Sequence, residues 1–163
     1  MIRSGRTRNL HSVKEIRPFG PEDQHDVTGV WYRAGLDEYT YLPTFQALPF
    51  EQAGEILVAV IERCEVWVGT EDQRIVAFLA MDGSSIERLY VDPDVQGRGW
   101  GGQLLDLAMA NTDGGLDLYT HVANTRARAF YESRGFRAVE FGISPPPESM
   151  PDVKYVWSPT AQD

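Results

Sequence analysis

The chain has 163 residues, with 24 Asp plus Glu against 15 Lys plus Arg and a formal net charge of −9. That length suits one domain around one sizeable core. An apolar share of 42% beside 24% charged residues excludes disorder as the main state. The acidic balance argues against a general nucleic-acid binder, which needs a basic footprint, and no stretch approaches the roughly 20 apolar residues of a membrane span. The expected partners therefore include neither nucleic acid nor membrane. A lone Cys64 makes no intrachain disulfide and suits a reducing compartment, so a cytoplasmic location is expected.

In chain order, residues 1–11 are basic and polar without period and read as a flexible tail, followed by a single domain over 12–160. The tail has the basic flavour of a signal peptide, but no apolar stretch follows it. Val13 and Ile16 mark a first strand ending at Pro18. Gly20-Pro21-Glu22-Asp23 reads as a helix start, with Pro in the first turn and carboxylates at the positive dipole end. Val27, Val30, Trp31 and Ala34 continue it as an amphipathic helix ending near Gly35. A loop with Pro43 and Pro49 leads to a second helix carrying Ala53, Ile56, Leu57, Val60 and Ile61. Three strands follow, Glu65–Gly69, Arg74–Met81 and Ser85–Val91, joined by the polar Thr70–Gln73 and by the turn signal Asp82-Gly83. A glycine-rich loop opens a helix with Leu104, Leu105, Ala108 and Met109. Leu116–Val122 reads as a strand, Asn124–Arg134 as a helix stopped by Gly135, Phe136–Phe141 as a strand, Pro145–Pro147 as a loop and Val153–Trp157 as a last strand. The order β-α-α-β-β-β-α-β-α-β-β describes a mixed α/β domain (α+β mixed sheet), an antiparallel meander followed by crossover units.

Six of the 15 glycines fall between Gly97 and Gly115. At a strand–helix junction, glycines let the backbone approach a ligand, and the unpaired N–H groups of the first helical turn make an anion site. Phosphate binding is the natural reading. Gly97-x-Gly99-x-x-Gly102 matches the dinucleotide fingerprint, but five residues separate it from the strand, it follows an antiparallel meander, and Asp117 lies within a strand. A Walker-type loop is excluded, because no Gly-Lys-Ser/Thr follows.

Gln96-x-x-Gly99-x-Gly101, preceded by Leu89-Tyr90-Val91-Asp92-Pro93, resembles the acetyl-CoA-binding signature of the GNAT superfamily of N-acetyltransferases. Asn124-x-x-Ala127-x-x-Phe130-Tyr131-x-x-x-Gly135-Phe136 is similar to that family's other common motif. The resemblance spans about residues 13–157 and is sharp from Ile86 to Phe136. It implies a GNAT-like fold with a splayed central sheet and acetyl-CoA as cosubstrate, and no metal is expected. The implied activity is transfer of the acetyl group to a primary amine, of a small molecule or a peptide, by direct attack in a ternary complex. The alternative is a catalytically weak CoA-binding sensor.

By that resemblance the CoA diphosphate rests on the backbone of Gln96, Gly97, Arg98, Gly99, Trp100, Gly101 and Gly102, with Arg98 adding a charge-assisted contact. Leu89, Tyr90 and Val91 line the pantetheine arm, and the main-chain N–H groups of Leu89 and Val91 polarise the thioester. Asn124 and Ala127 flank the arm. Tyr131 is the acid for the departing thiolate. Glu87 is the leading candidate base, because a period of two puts it on the strand face of Leu89 and Val91; His121 and solvent are the alternatives. Four arginines, Arg126, Arg128, Arg134 and Arg137, surround the Tyr131 helix, and Arg134 or Arg126 suits the 3′-phosphate of CoA. Trp31, Tyr32, Asp37, Glu38, Tyr39, Tyr41 and Phe45 lie where the family lines its acceptor pocket, with the Pro145–Pro151 loop as a further wall. Aromatic faces beside carboxylates suit a cationic amine, as does the net charge. Cys64 reads as a buried structural thiol. Monomer and homodimer both remain open.

Overall fold

A computed structural model describes residues 12–160; the tail expected over 1–11 lies outside the described residues. The elements run β1 (Lys14–Pro18), α1 (Gln24–Glu38), α2 (Pro43–Gln46), α3 (Phe50–Ile61), β2 (Glu65–Glu71), β3 (Arg74–Asp82), β4 (Ser85–Val91), α4 (Trp100–Ala110), β5 (Leu116–His121), α5 (Thr125–Ser133), β6 (Arg137–Ile143) and β7 (Pro151–Trp157), with short 3-10 turns at Pro21–Asp23 and Pro93–Val95. The expected order holds, with α2 added in the connection expected to be a loop.

One correction concerns Gly35, which does not end α1. A Cβ there would sit 2.2 Å from Phe45 Cζ, so the glycine admits the Phe45 ring against the helix, and α1 runs on to Glu38. Packing, rather than helix termination, uses this glycine.

The seven strands form one sheet in the order β1-β2-β3-β4-β5-β7-β6. β3 is buried on both faces, as a central strand should be: Leu79 and Met81 face α4 and α5, while Phe78 and Ala80 face α1–α3. One half of the core gathers Leu104, Leu105, Leu118, Phe136, Tyr155 and the wholly enclosed Trp100. The other gathers Val27, Val30, Trp31, Phe45 and Leu57.

Between β4 and β5 the sheet opens. These parallel strands pair only at Ser85↔Asp117, where Ser85 Oγ donates to Asp117 Oδ1 at 2.7 Å. Just beyond, β4 carries a bulge: Met81 pairs with Ile86 and Ala80 with Arg88, leaving Glu87 as an extra residue. A bulge bends its strand and increases the local twist, and past this one β4 and β5 part.

Candidate functional site

The parting strands open a cleft of about 900 Å³, bounded by β4, β5, the loop into α4, the α5 face and the C-terminal end of α1. At its head the chain crosses Gly97 and Gly99 at φ +79° and +89°, in the left-handed region that side-chain-bearing residues avoid. The first bond into α4 is Gln103 N to Gly99 O at 3.0 Å. The amides of Trp100, Gly101 and Gly102 therefore precede the helical ladder and sit at the positive end of its dipole. Arg134 lies over this turn: a Cβ on Gly102 would meet its Nη2 at 2.0 Å, and the guanidinium also approaches Asp106 at 3.4 Å and the Phe130 ring at 5.7 Å.

The side chains of the loop are otherwise engaged elsewhere. Arg98 turns to Glu71 at 3.0 Å, so its guanidinium is engaged by a carboxylate of β2. Trp100 is buried against Gly69 and donates Nε1 to Glu71 Oε1 at 2.7 Å. Gln96 Nε2 returns to Val91 O at 3.3 Å. The loop's root is held by Asp92, a fully buried carboxylate that accepts from Arg33 Nη2 at 2.6 Å and Arg74 Nη2 at 3.3 Å.

Asp92 N donates to Val76 O on β3 at 2.7 Å. Strand amides alternate in direction, so those of Tyr90 and Arg88 also face β3, and those of Leu89 and Val91 face the opening toward β5. The side chains of Leu89 and Val91 pack toward α4 and α5. Tyr90 points to the opposite face, stacked on Phe78 with its hydroxyl bonded to that of Tyr39.

The bulge corrects the facing expected for Glu87. Ile86, not Glu87, joins Leu89 and Val91 in the core beneath α4 and α5. The Glu87 carboxylate meets Arg63 Nη2 at 3.1 Å, after the end of α3, at the rim of the cleft. A period-two count fails here because one residue is inserted against β3.

Tyr131 lies near the middle of the cleft wall, 8% exposed, with its ring edge-on to Phe130 and Phe136. Burial pushes its phenol above the ordinary value, and Tyr90 and Glu38 push it the same way; it is a proton holder at neutral pH. The helix that carries it starts at Asn124, whose Oδ1 accepts from Ala127 N at 3.1 Å. Ala127 faces the cleft, as does Arg126. Arg128 instead braces Tyr155 and the Val122 carbonyl, and Arg137 stands exposed on β6.

Of the residues expected around the acceptor, Trp31, Glu38, Tyr39 and Phe45 line the cleft. Tyr32 spends its hydroxyl on Leu48 O at 2.7 Å. Tyr41 sits behind His121, its hydroxyl 2.8 Å from Nδ1, while Nε2 meets Glu148 Oε2 at 2.8 Å. Both nitrogens of His121 are thus engaged, and the hydrogen bond from His121 holds the Glu148 carboxyl below the usual range. Glu38 behaves oppositely. Burial lifts its carboxyl, and the nearby Arg126 charge and Asn124 amide only partly offset that. Cys64 is half-buried, and burial pushes its thiol up, which keeps it protonated and unreactive. Glu148 and Asp92, to which the sequence assigns no role, owe their positions to partners 18 to 59 residues away along the chain, and no local pattern announces them.

Residues 62–138 match the family described as an acetyltransferase (GNAT) domain. The chain is 28% identical over 123 residues to the peptidyl-lysine N-acetyltransferase YjaB of Salmonella typhimurium, covering 75% of this chain and 82% of that one. Its fold is similar to the apo form of YjaB from Escherichia coli, with a TM-score of 0.75, 21% identity, and coverage of 89% and 97%. It also resembles a GCN5-related N-acetyltransferase of Rhodopseudomonas palustris, with a TM-score of 0.74, 24% identity, and coverage of 91% and 98%. Residues 62–138 thus match an acetyltransferase (GNAT) domain, and the fold is the one found in GNAT acetyltransferases, as the two motifs led one to expect. No helix among the described residues is long and apolar enough to cross a membrane.

Proposed function

We propose that this protein transfers the acetyl group of acetyl-CoA to a primary amine by direct attack within a ternary complex, in the cytoplasm. The observation that carries the reading is the convergence on one cleft of two sets of backbone donors: the amides of Trp100–Gly102 at the head of α4, and those of Leu89 and Val91 along the opened edge of β4. The first set, with Arg134 above it, suits a diphosphate and a neighbouring phosphate. The second suits an extended, amide-bearing arm laid against a strand edge. The donor set therefore fits CoA.

Acetyl-CoA supplies the activated carbonyl carbon that the amine attacks. The chain's own groups do the rest. An amide donor at the strand opening stabilises negative charge developing on the acetyl oxygen. Tyr131 holds a proton for the departing sulfur, and its raised affinity for that proton keeps it in the acid form. The incoming amine must lose a proton, and Glu38 takes it, directly or through one water. Glu38 is the cleft carboxylate whose proton affinity burial raises, whereas Glu87 is engaged by Arg63 and His121 by Tyr41 and Glu148.

The test is Tyr131→Phe. Loss of a positioned acid lowers kcat by about 10²-fold, while calorimetry gives an acetyl-CoA affinity close to that of the wild type. An unchanged kcat with chemistry rate-limiting removes Tyr131 from the acid role. Failure of the wild-type protein to bind acetyl-CoA removes the whole reading.

A further inference from the structure

Six arginines each approach a carboxylate to 3.4 Å or closer: Arg17, Arg33, Arg63, Arg74, Arg98 and Arg134. Arg88 does not. It is half-buried in the cleft wall, and no described carboxylate pairs with it. Its Nη1 donates to the Glu87 carbonyl at 2.8 Å, and its guanidinium lies 5.7 Å from the centre of the Trp31 ring. Its Nε is buried without a hydrogen-bond partner. The adjacent carboxylate that would naturally satisfy it, Glu87, has been drawn away by Arg63. A buried donor left unmatched is costly and asks for an explanation.

Alternation along β4 puts Arg88 on the strand face of Tyr90, where it projects toward α1, at the acceptor end of the cleft. There it faces Glu38 and Glu148 across the opening, all three lining the same cavity. With Nη1 held by the backbone and Nε enclosed, Nη2 is the guanidinium nitrogen left to the cleft without a described partner, and it suits a charge-assisted contact with a carboxylate. A wall that carries Arg88 and Arg126 together with Glu38 and Glu148 complements a zwitterion better than a plain cation.

We propose that Arg88 receives a carboxylate of the acceptor, so that the substrate class is an amine bearing a nearby carboxylate. This rests on the acetyl-transfer reading of the cleft and sharpens it. It also revises the expectation of a simple cationic acceptor drawn from the net charge, because the −9 of the whole chain does not describe the local field at Arg88. The carboxylate comes either from a free amino acid or from an acidic residue beside a lysine in a peptide.

The experiment compares two acceptor pairs, free lysine against lysinamide, and a short Lys-Glu peptide against its Lys-Gln counterpart. The wild-type protein prefers the carboxylate member of at least one pair by about tenfold in kcat/KM, the scale of one charge-assisted contact. Whichever pair shows the preference identifies the source. Arg88→Met brings that ratio to about one, and Arg88→Lys, which keeps the charge but loses the fork, retains only part of it. Equal use of both members in both pairs by the wild type overturns the proposal, and so does a preference that survives in Arg88→Met. If no acceptor yields CoA release, the transfer reading itself has failed. Calorimetric affinities for the same pairs then decide the Arg88 contact by the same ratios.

Discussion

Gly69 lies in β2, outside the cleft, yet it bears on the head of α4. A Cβ at this position would stand 2.5 Å from Cζ3, 2.8 Å from Cε3 and 3.1 Å from Cη2 of Trp100, where carbon atoms ordinarily rest about 3.5–4.0 Å apart. The ring has nowhere to turn, being 1% exposed and tied through Nε1 to Glu71 at 2.7 Å. Gly69→Ala therefore overpacks the core. The expected cost is about 2 kcal/mol, or a fall in Tm of about 4–8 °C for a chain of this size. Because Trp100 is the first residue of α4, displacement of its ring shifts the amides of Trp100, Gly101 and Gly102 with it. A positional error of about 1 Å can cost up to about 10²-fold in a catalytic parameter, and here it falls on the cosubstrate. The variant should show a KM for acetyl-CoA raised about tenfold with a smaller change in kcat. Thermal unfolding followed by circular dichroism and steady-state kinetics at saturating amine measure both. A Tm within about a degree of the wild type refutes the packing argument; a lowered Tm with an unaltered KM refutes the coupling between β2 and the cradle.

Two further expectations come from charged groups. Glu38→Gln lowers kcat/KM by about 10²-fold at neutral pH, a larger fall than Glu87→Gln produces. It also removes the acidic limb of the wild-type pH profile, which lies above the ordinary carboxylate value of about 4.3 because burial favours the protonated form; a profile left intact in the variant removes Glu38 from the base role. The second concerns Asp23, 5% exposed, which accepts from Arg17 at 2.7 and 2.9 Å and from Gly20 N at 2.8 Å. The bond from Arg17 holds its carboxyl below the usual range. The sign follows: its stabilisation is complete above about pH 3.9, the unfolded value, and is lost as pH falls through the lower folded one. Asp23→Ala should cost about 1–2 kcal/mol at pH 6, discounted for the partly exposed Arg17. The gap between variant and wild type in urea unfolding should narrow toward pH 3, and a constant gap would show that the charge contributes nothing.

Much of this protein is written locally and was readable as such. The order of strands and helices follows from side-chain periods of 2 and 3.6 and from turn residues such as Asp82-Gly83, each a matter of neighbours a few positions apart. The glycines at 97 and 99 announce a backbone that passes through positive φ, and Asn124 announces the start of α5 by capping it. These features set the glycine turn at the head of α4 and the start of the helix that carries Tyr131.

What the sequence could not decide depends on residues distant along the chain meeting in space. Gly35 reads as a helix stop until Phe45 is seen against it. Arg98 reads as a phosphate ligand, and the fold sets its guanidinium against Glu71. Above all, the single residue inserted at Glu87 is invisible in one strand, because a bulge is a relation between two strands and exists only once β3 and β4 are in register. That insertion moves Glu87 out of line with Leu89 and Val91, and β4 parts from β5 beyond it. The half of the cleft proposed to hold the cosubstrate is local chemistry carried by a loop and a helix start. The half proposed for the acceptor, where Glu38, Arg88, His121 and Glu148 line one cavity, is a product of register and packing, and only the tertiary structure determined it.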